Sequence, residues 1–458
     1  FAKSQGGKLV LRIEDTDQER LKEDSVSQIL TSLKWLGLTW DEGPEVGGPK
    51  GPYYQSQRLA IYQKVCAELV AQGKAYYCFC TPEDLEADRE RQRELKQPFR
   101  YSGTCRNLTP EQVQEKLAKG EKYSIRFKLP DQPNVVVHDL IHGDVTFTMD
   151  QFDDFVIMKS NGIPTYNFAV VVDDHAMNIT HVLRAEEHLS NTPKQIFIYE
   201  ALGYPVPKFG HMPMILAPDR SKLSKRHGAT SVEEFRQQGY LPEAIVNYLT
   251  LLGWSPGNDQ EIFTLAETLK QFDFAKMSKK AAVYDTKKLT WLNGQYLTNL
   301  PIANVVQAAI PFFKQAGFID DKYLAEHGEY FTHLIDVVRV RVKTLQEVVE
   351  SAEYFFKPVT SYDPKGEAKH FTAEGAAILK KCVAVIEALP EFTLASTEEA
   401  YNKVAAEMGL SFGKVIHPTR LALTGRTVSP GLFDVMILLG KEETLKRLQQ
   451  AIQYIEKK

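Results

Sequence analysis

A short basic loop is the first place where this sequence could perform chemistry. Residues 220–228 read Arg-Ser-Lys-Leu-Ser-Lys-Arg-His-Gly, which puts four cationic side chains within seven positions. Lysines on such a loop can neutralise the oxygens of a phosphoryl group during its transfer without bonding to it covalently. A solvated basic loop has the same composition, so charge alone leaves both interpretations open.

Strands and helices that would position this loop alternate in two separated parts of the sequence. The first part predicts a strand over residues 8–13, which ends in the acidic run Glu14-Asp15-Thr16-Asp17 and is followed by amphipathic helices. In the second part the α/β pattern resumes at 165–172 and continues with a strand at 180–183 and a helix at 192–202. A second polar strand end lies at Arg184-Ala185-Glu186-Glu187-His188. Polar residues at such strand ends can form a site.

The segments between and after these parts differ in their pattern of apolar and polar residues. Residues 75–159 contain short alternating runs, which favour an inserted α+β domain. Beyond Pro301 apolar residues recur at helical spacing, which predicts helical bundles. The expected fold class is therefore α/β with an insertion, followed by an all-α region.

Composition excludes several classes of protein. A chain of 458 residues is long enough for three or four domains, and 43% hydrophobic with 25% charged residues excludes a disordered or collagen-like chain. The 55 Lys and Arg residues against 59 Asp and Glu give a net charge of −4, so any nucleic-acid surface must be local. No run approaches the roughly 18 apolar residues of a membrane helix. We expect a soluble, cytoplasmic protein.

Motifs spread along nearly the whole chain together resemble bacterial glutamyl-tRNA synthetase, a class I aminoacyl-tRNA synthetase. They are RIEDTD at 12–17, WLGLTWDEG at 35–43, YNFAVVVDD at 166–174, HVLRAEEH at 181–188, HMP at 211–213, KLSKR at 222–226, WLNG at 291–294, and the segments 418–425 and 430–440. The resemblance implies ATP-dependent ligation of L-glutamate to tRNA(Glu) through a glutamyl-adenylate. It further implies a Rossmann-like catalytic core, the use of ATP and Mg²⁺, and a monomer that binds tRNA.

The resemblance also implies roles for individual residues. It places Lys222, Ser224 and Lys225 on the ATP phosphates, Glu187 and His188 on ATP, and Glu14, Tyr166 and Arg184 on the glutamate. Lys222 and Lys225 would be catalytic, because they hold the phosphates through the transition state. Arg184 is the candidate for the substrate's side-chain carboxylate, since its planar fork suits that group. An ion pair with Glu186 or Glu187 is the structural alternative.

Two acidic residues after Glu14 have a less specific interpretation. Asp15 and Asp17 are as well suited to helix N-terminal capping as to contact with the substrate. Glu14 itself would accept hydrogen bonds from the substrate ammonium, and the Tyr166 hydroxyl would close the pocket.

The domain division expected from the resemblance has four parts. It comprises a split catalytic domain at 1–74 and 160–218, an inserted acceptor-stem-binding domain at 75–159, a phosphate-loop and stem-contact domain at 219–300, and helical anticodon-binding domains at 301–370 and 371–458. The alternating run Arg339–Lys343 could present a cationic edge to RNA phosphates, although an ordinary solvated face has the same pattern.

A second lysine-rich segment, Lys276-Met277-Ser278-Lys279-Lys280, matches the class I phosphate signature more literally than residues 222–226 do. We interpret it as a decoy, because it lies far beyond the last α/β strand signal. A phosphate loop should follow the last strand of the nucleotide-binding sheet.

Three of the five cysteines, Cys78, Cys80 and Cys105, lie where some members of this family bind zinc. In those members the fourth ligand lies two residues after the third cysteine, and here that residue is Asn107, a poor ligand for zinc. One of the tyrosines before Cys78, or a water, could complete the shell. The alternative is a metal-free cluster of small buried side chains, and we assign no metal.

The resemblance begins at the first residues and lacks the strand and His-rich turn that open the family. We therefore expect that the ATP-binding signature segment is absent from this sequence. A catalytically inactive tRNA-binding form is the alternative function, and a glutaminyl or tRNA-modifying relative is a third. The long helical C-terminal part argues against a short modifying enzyme, and Arg184 argues for an acidic substrate.

Overall fold

A computed structural model describes residues 1–16, 23–223 and 231–457. The chain divides into two compact units. The first consists of Phe1–Gly228 with Val246–Tyr284, and the second of Ala229–Ile245 with Asp285–Lys458. None of the described helices combines the length and the apolar character that a membrane span requires.

The first unit contains the strands of the described chain. They are β1 (Ala75–Cys78), β2 (Ser124–Phe127), β3 (Asn134–Asp139), β4 (Gly143–Thr148), β5 (Val156–Met158), β6 (His181–Ala185), β7 (Lys208–Met212), β8 (Ile215–Leu216) and β9 (Ala282–Val283). One sheet has the order β4-β3-β7-β6, in which β3, β7 and β6 are parallel and β4 is antiparallel. A second, antiparallel sheet has the order β1-β2-β5, and β8 pairs with β9 in parallel.

The described α-helices that precede Tyr284 follow in chain order. They are α1 (Glu23–Trp35), α2 (Leu59–Ala71), α3 (Pro82–Glu94), α4 (Pro110–Ala118), α5 (Tyr166–Ala176), α6 (Thr192–Leu202), α7 (Val232–Gln237), α8 (Pro242–Leu251) and α9 (Leu265–Gln271). Thr81 and Thr109 cap α3 and α4 with reciprocal side-chain hydrogen bonds, and a proline occupies the first turn of each helix. These sequence signals fix where the two charged helices begin.

One hydrophobic cluster runs through the first unit and fixes the site-bearing elements. It joins Leu69 of α2, Phe127 of β2, Val137 of β3, Phe168 of α5 and Phe197 of α6, all of them almost fully buried. Burial of such a side chain stabilises a fold by about 1.5–3 kcal/mol. The cluster therefore holds α5 and α6 firmly against both sheets.

The second unit is helical. Its further helices are α10 (Thr286–Asn299), α11 (Ile302–Gln315), α12 (Asp321–Arg339), α13 (Leu345–Phe356), α14 (Pro364–His370), α15 (Ala373–Glu387), α16 (Leu394–Glu407), α17 (Phe412–Thr424) and α18 (Leu432–Glu456). Two buried clusters lie within it, one around Phe313 and Phe331 and one around Leu379 and Tyr401. Gly440 interrupts α18 with a φ of 79°, which is left-handed backbone that favours glycine.

Several expectations from the sequence are confirmed and one is wrong. The strand and helix at 180–183 and 192–202 are present as β6 and α6, and the helical C-terminal part is confirmed. Residues 165–172, which resume the α/β pattern, form most of helix α5. Residues 8–13 do not form a regular strand: Val10 and Ile13 make isolated bridges to Glu42 and Tyr54. The division into these domains stays a prediction.

Candidate active site

Arg184, near the end of β6, is held by neutral groups. Its Nε donates to His211 Nε2 at 3.1 Å, and its Nη2 donates to Thr192 Oγ1 at 2.9 Å and to Gln195 Oε1 at 3.0 Å. Its Nη1 donates to the Tyr166 hydroxyl at 3.2 Å. Because Nη2 carries only two hydrogens, the edge left for a ligand is the second N–H of Nη1.

The structural alternative for Arg184, an ion pair with Glu186 or Glu187, does not form. Within the described chain no carboxylate lies in ion-pair distance of the Arg184 guanidinium, and Glu187 pairs with Lys222. Neutral acceptors satisfy hydrogen bonds but do not neutralise a charge. The Arg184 cation is therefore available to an anionic ligand.

Two other arginines near the site show the contrast. Arg12 donates to Asp174 Oδ1 at 2.9 Å and to Glu14 Oε1 at 3.2 Å, and Arg58 Nε donates to Asp173 Oδ1 at 2.6 Å. Each of these cations has a carboxylate partner, and Arg58 is buried. The charges of Arg12 and Arg58 are therefore neutralised by carboxylates of the protein, whereas that of Arg184 is not neutralised by any carboxylate of the described chain.

Asp173 organises the buried base of the site. Besides Arg58, its carboxylate accepts from Gln55 Nε2 at 2.9 Å and from the Tyr62 hydroxyl at 2.8 Å. Arg12 Nε lies 3.6 Å from Asp173 Oδ2. These contacts tie the segment around Arg12 and the start of α2 to α5, which places Glu14 beside the site.

The Tyr166 hydroxyl lies near the charges of both Arg184 and Glu14. Desolvation raises the pKa of the Glu14 carboxyl, although the neighbouring Arg12 cation opposes the change. Burial likewise raises the pKa of the Tyr166 hydroxyl, while Arg184 lowers it and Glu14 raises it. The structure thus brings together the three residues that the sequence assigns to glutamate, with one positive and one negative charge around a hydroxyl.

The residues assigned to ATP are described in part. Lys222 Nζ lies 2.6 Å from Glu187 Oε2, and both side chains are exposed. This ion pair lowers the pKa of Glu187. His188 Nδ1 lies 3.5 Å from the hydroxyl of Tyr166, one of the residues assigned to binding the glutamate substrate. Ser224 and Lys225 lie outside the described residues, as does Asp17.

Asp15 contacts a turn that is distant from it in the sequence. Its Oδ1 accepts from the backbone N–H of Ser56 at 2.8 Å, and its Oδ2 accepts from the Ser56 hydroxyl at 2.5 Å. Ser56 lies in the 3-10 turn Gln55–Arg58 that leads into α2. Asp15 therefore anchors that turn.

The lysine-rich segment 276–280 is closer to a strand than its sequence indicates. It is followed by β9, which pairs with β8 in a separate two-stranded sheet and not with the sheet β4-β3-β7-β6. Two-residue strands such as β9 carry too little pattern to be seen in a sequence. Lys276 Nζ donates to the Pro256 carbonyl at 2.9 Å, which is a structural contact. That the segment is a decoy stays a prediction.

The three cysteines converge. The sulfurs of Cys78, Cys80 and Cys105 all lie within 4.8 Å of one another. The Tyr101 hydroxyl is 3.5 Å from Cys78 Sγ and 3.8 Å from Cys80 Sγ, and Arg126 Nε donates to Cys78 Sγ at 3.3 Å. Hydrogen bonds from Cys105, Tyr101 and Arg126 outweigh burial and lower the pKa of Cys78 to about 4.

The tyrosine beside the three cysteines is not one of those that precede Cys78. Tyr76 donates to Asp154 at 2.7 Å, so the hydroxyl nearest the thiols is that of Tyr101, which the sequence did not single out. Cys78 Sγ donates to the Tyr101 hydroxyl and accepts from Arg126 Nε, so its hydrogen bonds are made within the protein. The donor set also falls one thiolate or imidazole short of a closed structural zinc site.

Metal analysis of protein purified without chelator is expected to find well below one zinc per chain. The described residues offer three thiols and one phenol where structural zinc takes four thiolate or imidazole ligands. Inductively coupled plasma mass spectrometry measures the ratio. One zinc per chain that is lost in a Cys105→Ser variant would contradict this expectation.

The cationic run Arg339–Lys343 is partly structural. Arg339 follows the pattern but donates to the carbonyls of Leu297 and Leu300 at 3.2 and 2.7 Å and pairs with Asp336. Arg341 remains exposed. Fewer cationic side chains of this run are therefore available to RNA phosphates than the sequence indicates.

Sequence reasoning missed the residues that support Arg184. Asp139 accepts from His211 at 2.5 Å, and both side chains are buried. Burial alone would raise the pKa of Asp139, but hydrogen bonds from His211 and from the backbone amides of His142 and Ile141 lower it to about 2. The motif His211-Met212-Pro213 was the available signal, although it gave no partner for the ring.

Comparisons with known proteins identify the family of this chain. The family description "tRNA synthetases class I (E and Q), catalytic domain" matches residues 1–291, and "Anticodon binding domain" matches residues 304–452. Glutamate–tRNA ligase 1 of Caldanaerobacter subterraneus is 53% identical over 100% of this chain and 93% of its own length, as is glutamate–tRNA ligase 2 of Thermoanaerobacter pseudethanolicus.

Solved structures extend the agreement to the fold. The crystal structure of a glutamate tRNA ligase from Elizabethkingia meningosepticum in complex with its amino acid has a TM-score of 0.88 at 35% identity, over 99% of this chain and 94% of that one. The class I Rossmann-like core followed by a helical anticodon-binding region, expected from the sequence, is thereby confirmed. The chain belongs to the glutamate–tRNA ligase family of class I tRNA synthetases.

Proposed function

We propose that this protein joins L-glutamate to tRNA(Glu) at the expense of ATP, for protein synthesis, in the site around Arg184. Relatives matched over nearly their whole length are glutamate–tRNA ligases. The observation that supports glutamate as the substrate is the state of the Arg184 guanidinium. Neutral groups hold it, and it has no acidic partner in the described chain. A cation so placed favours an anionic amino-acid side chain.

Glutamate would be bound by groups of opposite charge. The free N–H of Arg184 Nη1 and the Tyr166 hydroxyl, 3.2 Å apart, form an edge that suits one carboxylate. Glu14 would accept hydrogen bonds from the substrate ammonium. Tyr166 can donate to the ligand because it already accepts from Arg184. This arrangement leaves the α-carboxylate as the reacting group.

Two transfers follow in the proposed reaction. An oxygen of the glutamate α-carboxylate attacks the α-phosphorus of ATP, the bond to the β-phosphate breaks, and pyrophosphate leaves. A ribose hydroxyl of the tRNA terminus then attacks the glutamyl carbonyl, loses its proton and displaces AMP. Both steps require mainly positioning and neutralisation of charge on phosphate oxygens.

Lys222, Ser224 and Lys225 would hold the ATP phosphates, with Mg²⁺ adding positive charge, and Glu187 and His188 would contact ATP. The ion pair of Lys222 with Glu187 must open for this, and an exposed pair contributes little to stability. Lys222 follows β8 by a few residues, where a mobile cation can reach a ligand at the strand ends.

The anticodon-binding match at residues 304–452 supports recognition of tRNA by the helical C-terminal part. We propose that the domain at 75–159 contacts the acceptor stem, that 219–300 contacts the stem, and that 301–370 and 371–458 bind the anticodon. A cytoplasmic monomer is the form we propose. Single-stranded anticodon bases are read by stacking and by hydrogen bonds to their exposed edges.

ATP–pyrophosphate exchange with L-glutamate in the presence of tRNA tests this function directly. Exchange with glutamate supports the ligase, exchange with glutamine alone supports the glutaminyl relative, and tRNA binding without exchange supports the inactive alternative. The comparisons give no support to the inactive form.

Affinity for tRNA is expected to fall at least about tenfold between roughly 50 and 200 mM salt, because phosphate contacts release counterions. The net charge of −4 means that the effect must come from local cations such as Arg341. Filter binding across a salt series measures the slope. A flat response would count against a tRNA partner.

A further inference from the structure

Arg184 and His211 are direct neighbours across the parallel pair of β6 and β7. On the other side of β7, β3 ends at Asp139, whose register partner is Phe209. The carboxylate of Asp139 and the guanidinium of Arg184 therefore meet the same imidazole from opposite sides, at 2.5 Å and 3.1 Å. His211 is completely buried between them.

The chemistry of these three groups fixes the state of the ring. An arginine only donates, so His211 Nε2 must carry a lone pair where Arg184 Nε meets it. The single ring proton then sits on Nδ1 and is donated to Asp139. Thr192 Oγ1, at 3.2 Å from Nε2 and 2.9 Å from Arg184 Nη2, lies beside the same contact.

Asp139 is fixed in turn by the backbone. The N–H groups of Ile141 and His142 both donate to Asp139 Oδ1 at 2.9 Å, which leaves Oδ2 for His211. The orientation of the carboxylate is thus set by two backbone N–H groups, which can only donate hydrogen bonds.

We propose that Asp139 and His211 are positioning residues for glutamate recognition. Asp139 holds His211 as the Nδ1–H tautomer, so that His211 Nε2 accepts from Arg184 Nε and fixes the plane of the guanidinium. This proposal rests on the proposed role of Arg184 in binding the substrate carboxylate. It adds that the strength of glutamate binding is controlled by a buried carboxylate that does not touch the substrate. A carboxylate–imidazole pair commonly orients a third group in this way.

An Asp139→Asn variant tests the proposal sharply. The donors on Ile141 and His142 keep the amide oxygen, so the amide nitrogen faces His211 Nδ1 and forces the proton to Nε2. A donor then faces the Arg184 Nε donor, and the fork must move. We expect the KM for glutamate to rise about tenfold, with the KM for ATP and kcat within about twofold of the parent. General damage to folding would instead lower kcat through a smaller active fraction and leave KM unchanged.

The matched control is Asp144→Asn. His138 and Asp144 form the same kind of pair at 2.7 Å on β3 and β4, but both side chains are highly exposed. This variant is expected to leave all constants unchanged. A glutamate KM that rises as much in Asp144→Asn as in Asp139→Asn would overturn the proposal.

Variants at His211 give a second route that does not depend on the folding of Asp139→Asn. In His211→Gln the Asp139 acceptor draws the amide nitrogen, so the amide oxygen can accept from Arg184. We expect His211→Leu to raise the glutamate KM about tenfold and His211→Gln to rescue most of that loss. Equal effects of Leu and Gln would overturn the proposal.

Adding Asp139→Asn to Arg184→Ala separates this proposal from the one on which it rests. If Asp139 acts through Arg184, it adds no further rise in the glutamate KM in that background. A normal KM in Arg184→Ala alone would remove the proposed role of Arg184. A raised KM in Arg184→Ala with a normal KM in Asp139→Asn would overturn only the positioning role.

Discussion

Alanine in place of Lys225 is expected to lower aminoacylation at least about a hundredfold, equivalent to about 3 kcal/mol of transition-state stabilisation. In the proposed reaction this lysine neutralises phosphate oxygens as pyrophosphate leaves, and Lys222 alone would neutralise them poorly. The melting temperature is expected to stay nearly unchanged, because the core clusters of the described chain are built from other elements. Steady-state aminoacylation and thermal unfolding together give the measurement.

Lys276→Ala is the matched control for Lys225→Ala. Lys276 belongs to the more literal copy of the phosphate signature, yet its ammonium donates to the Pro256 carbonyl. We expect only a mild effect on turnover. A greater loss of catalysis in Lys276→Ala than in Lys225→Ala would show that the phosphate loop has been assigned to the wrong segment.

Loss of the Arg184 side chain is expected to lower kcat/KM for glutamate about a hundredfold, the worth of a charge-assisted hydrogen-bonded pair at about 3 kcal/mol. The KM for ATP is expected to change little, because Lys222 and Glu187 pair with each other and not with Arg184. Kinetics with each substrate varied in turn separate the two constants.

Arg184→Lys completes that experiment. It keeps the positive charge but loses the planar fork that donates to His211, Thr192 and Gln195 at once. We expect glutamate kinetics between those of the parent and of Arg184→Ala. Unchanged glutamate kinetics in Arg184→Ala would remove the residue from the pocket.

The elements that carry Arg184 could be predicted because their signals are local. An apolar run ending in polar residues marks β6, and a proline at the first turn of a largely apolar segment marks α6. Residues 165–172 were harder, because a helix buried on all sides has the same apolar run as a buried strand. Residues 8–13 look like a strand by composition but find only isolated partners.

The support of Arg184 could not be predicted, because it depends on the order of strands in the sheet. Nothing in the segment that contains Asp139 indicates that β7 will lie beside β3, or that His211 will reach across. The Asp173 network has the same character, since Gln55, Arg58 and Tyr62 are far from it in sequence. Residue types and motifs predicted that Glu14, Tyr166 and Arg184 belong to one site, whereas long-range pairing decided what fixes them.

The pairing of β3 with β7 also has a consequence for how the protein is made. Asp139 leaves the ribosome well before Phe209, its partner in the sheet. At about 5–20 residues per second, the edge of the β3–β4 hairpin waits on the order of several seconds for β7. Since an unpaired edge strand is prone to join another chain, the nascent protein is most vulnerable to misassembly in that interval. The proposed glutamate site is complete only at the end of that interval, when His211 takes its place between Asp139 and Arg184.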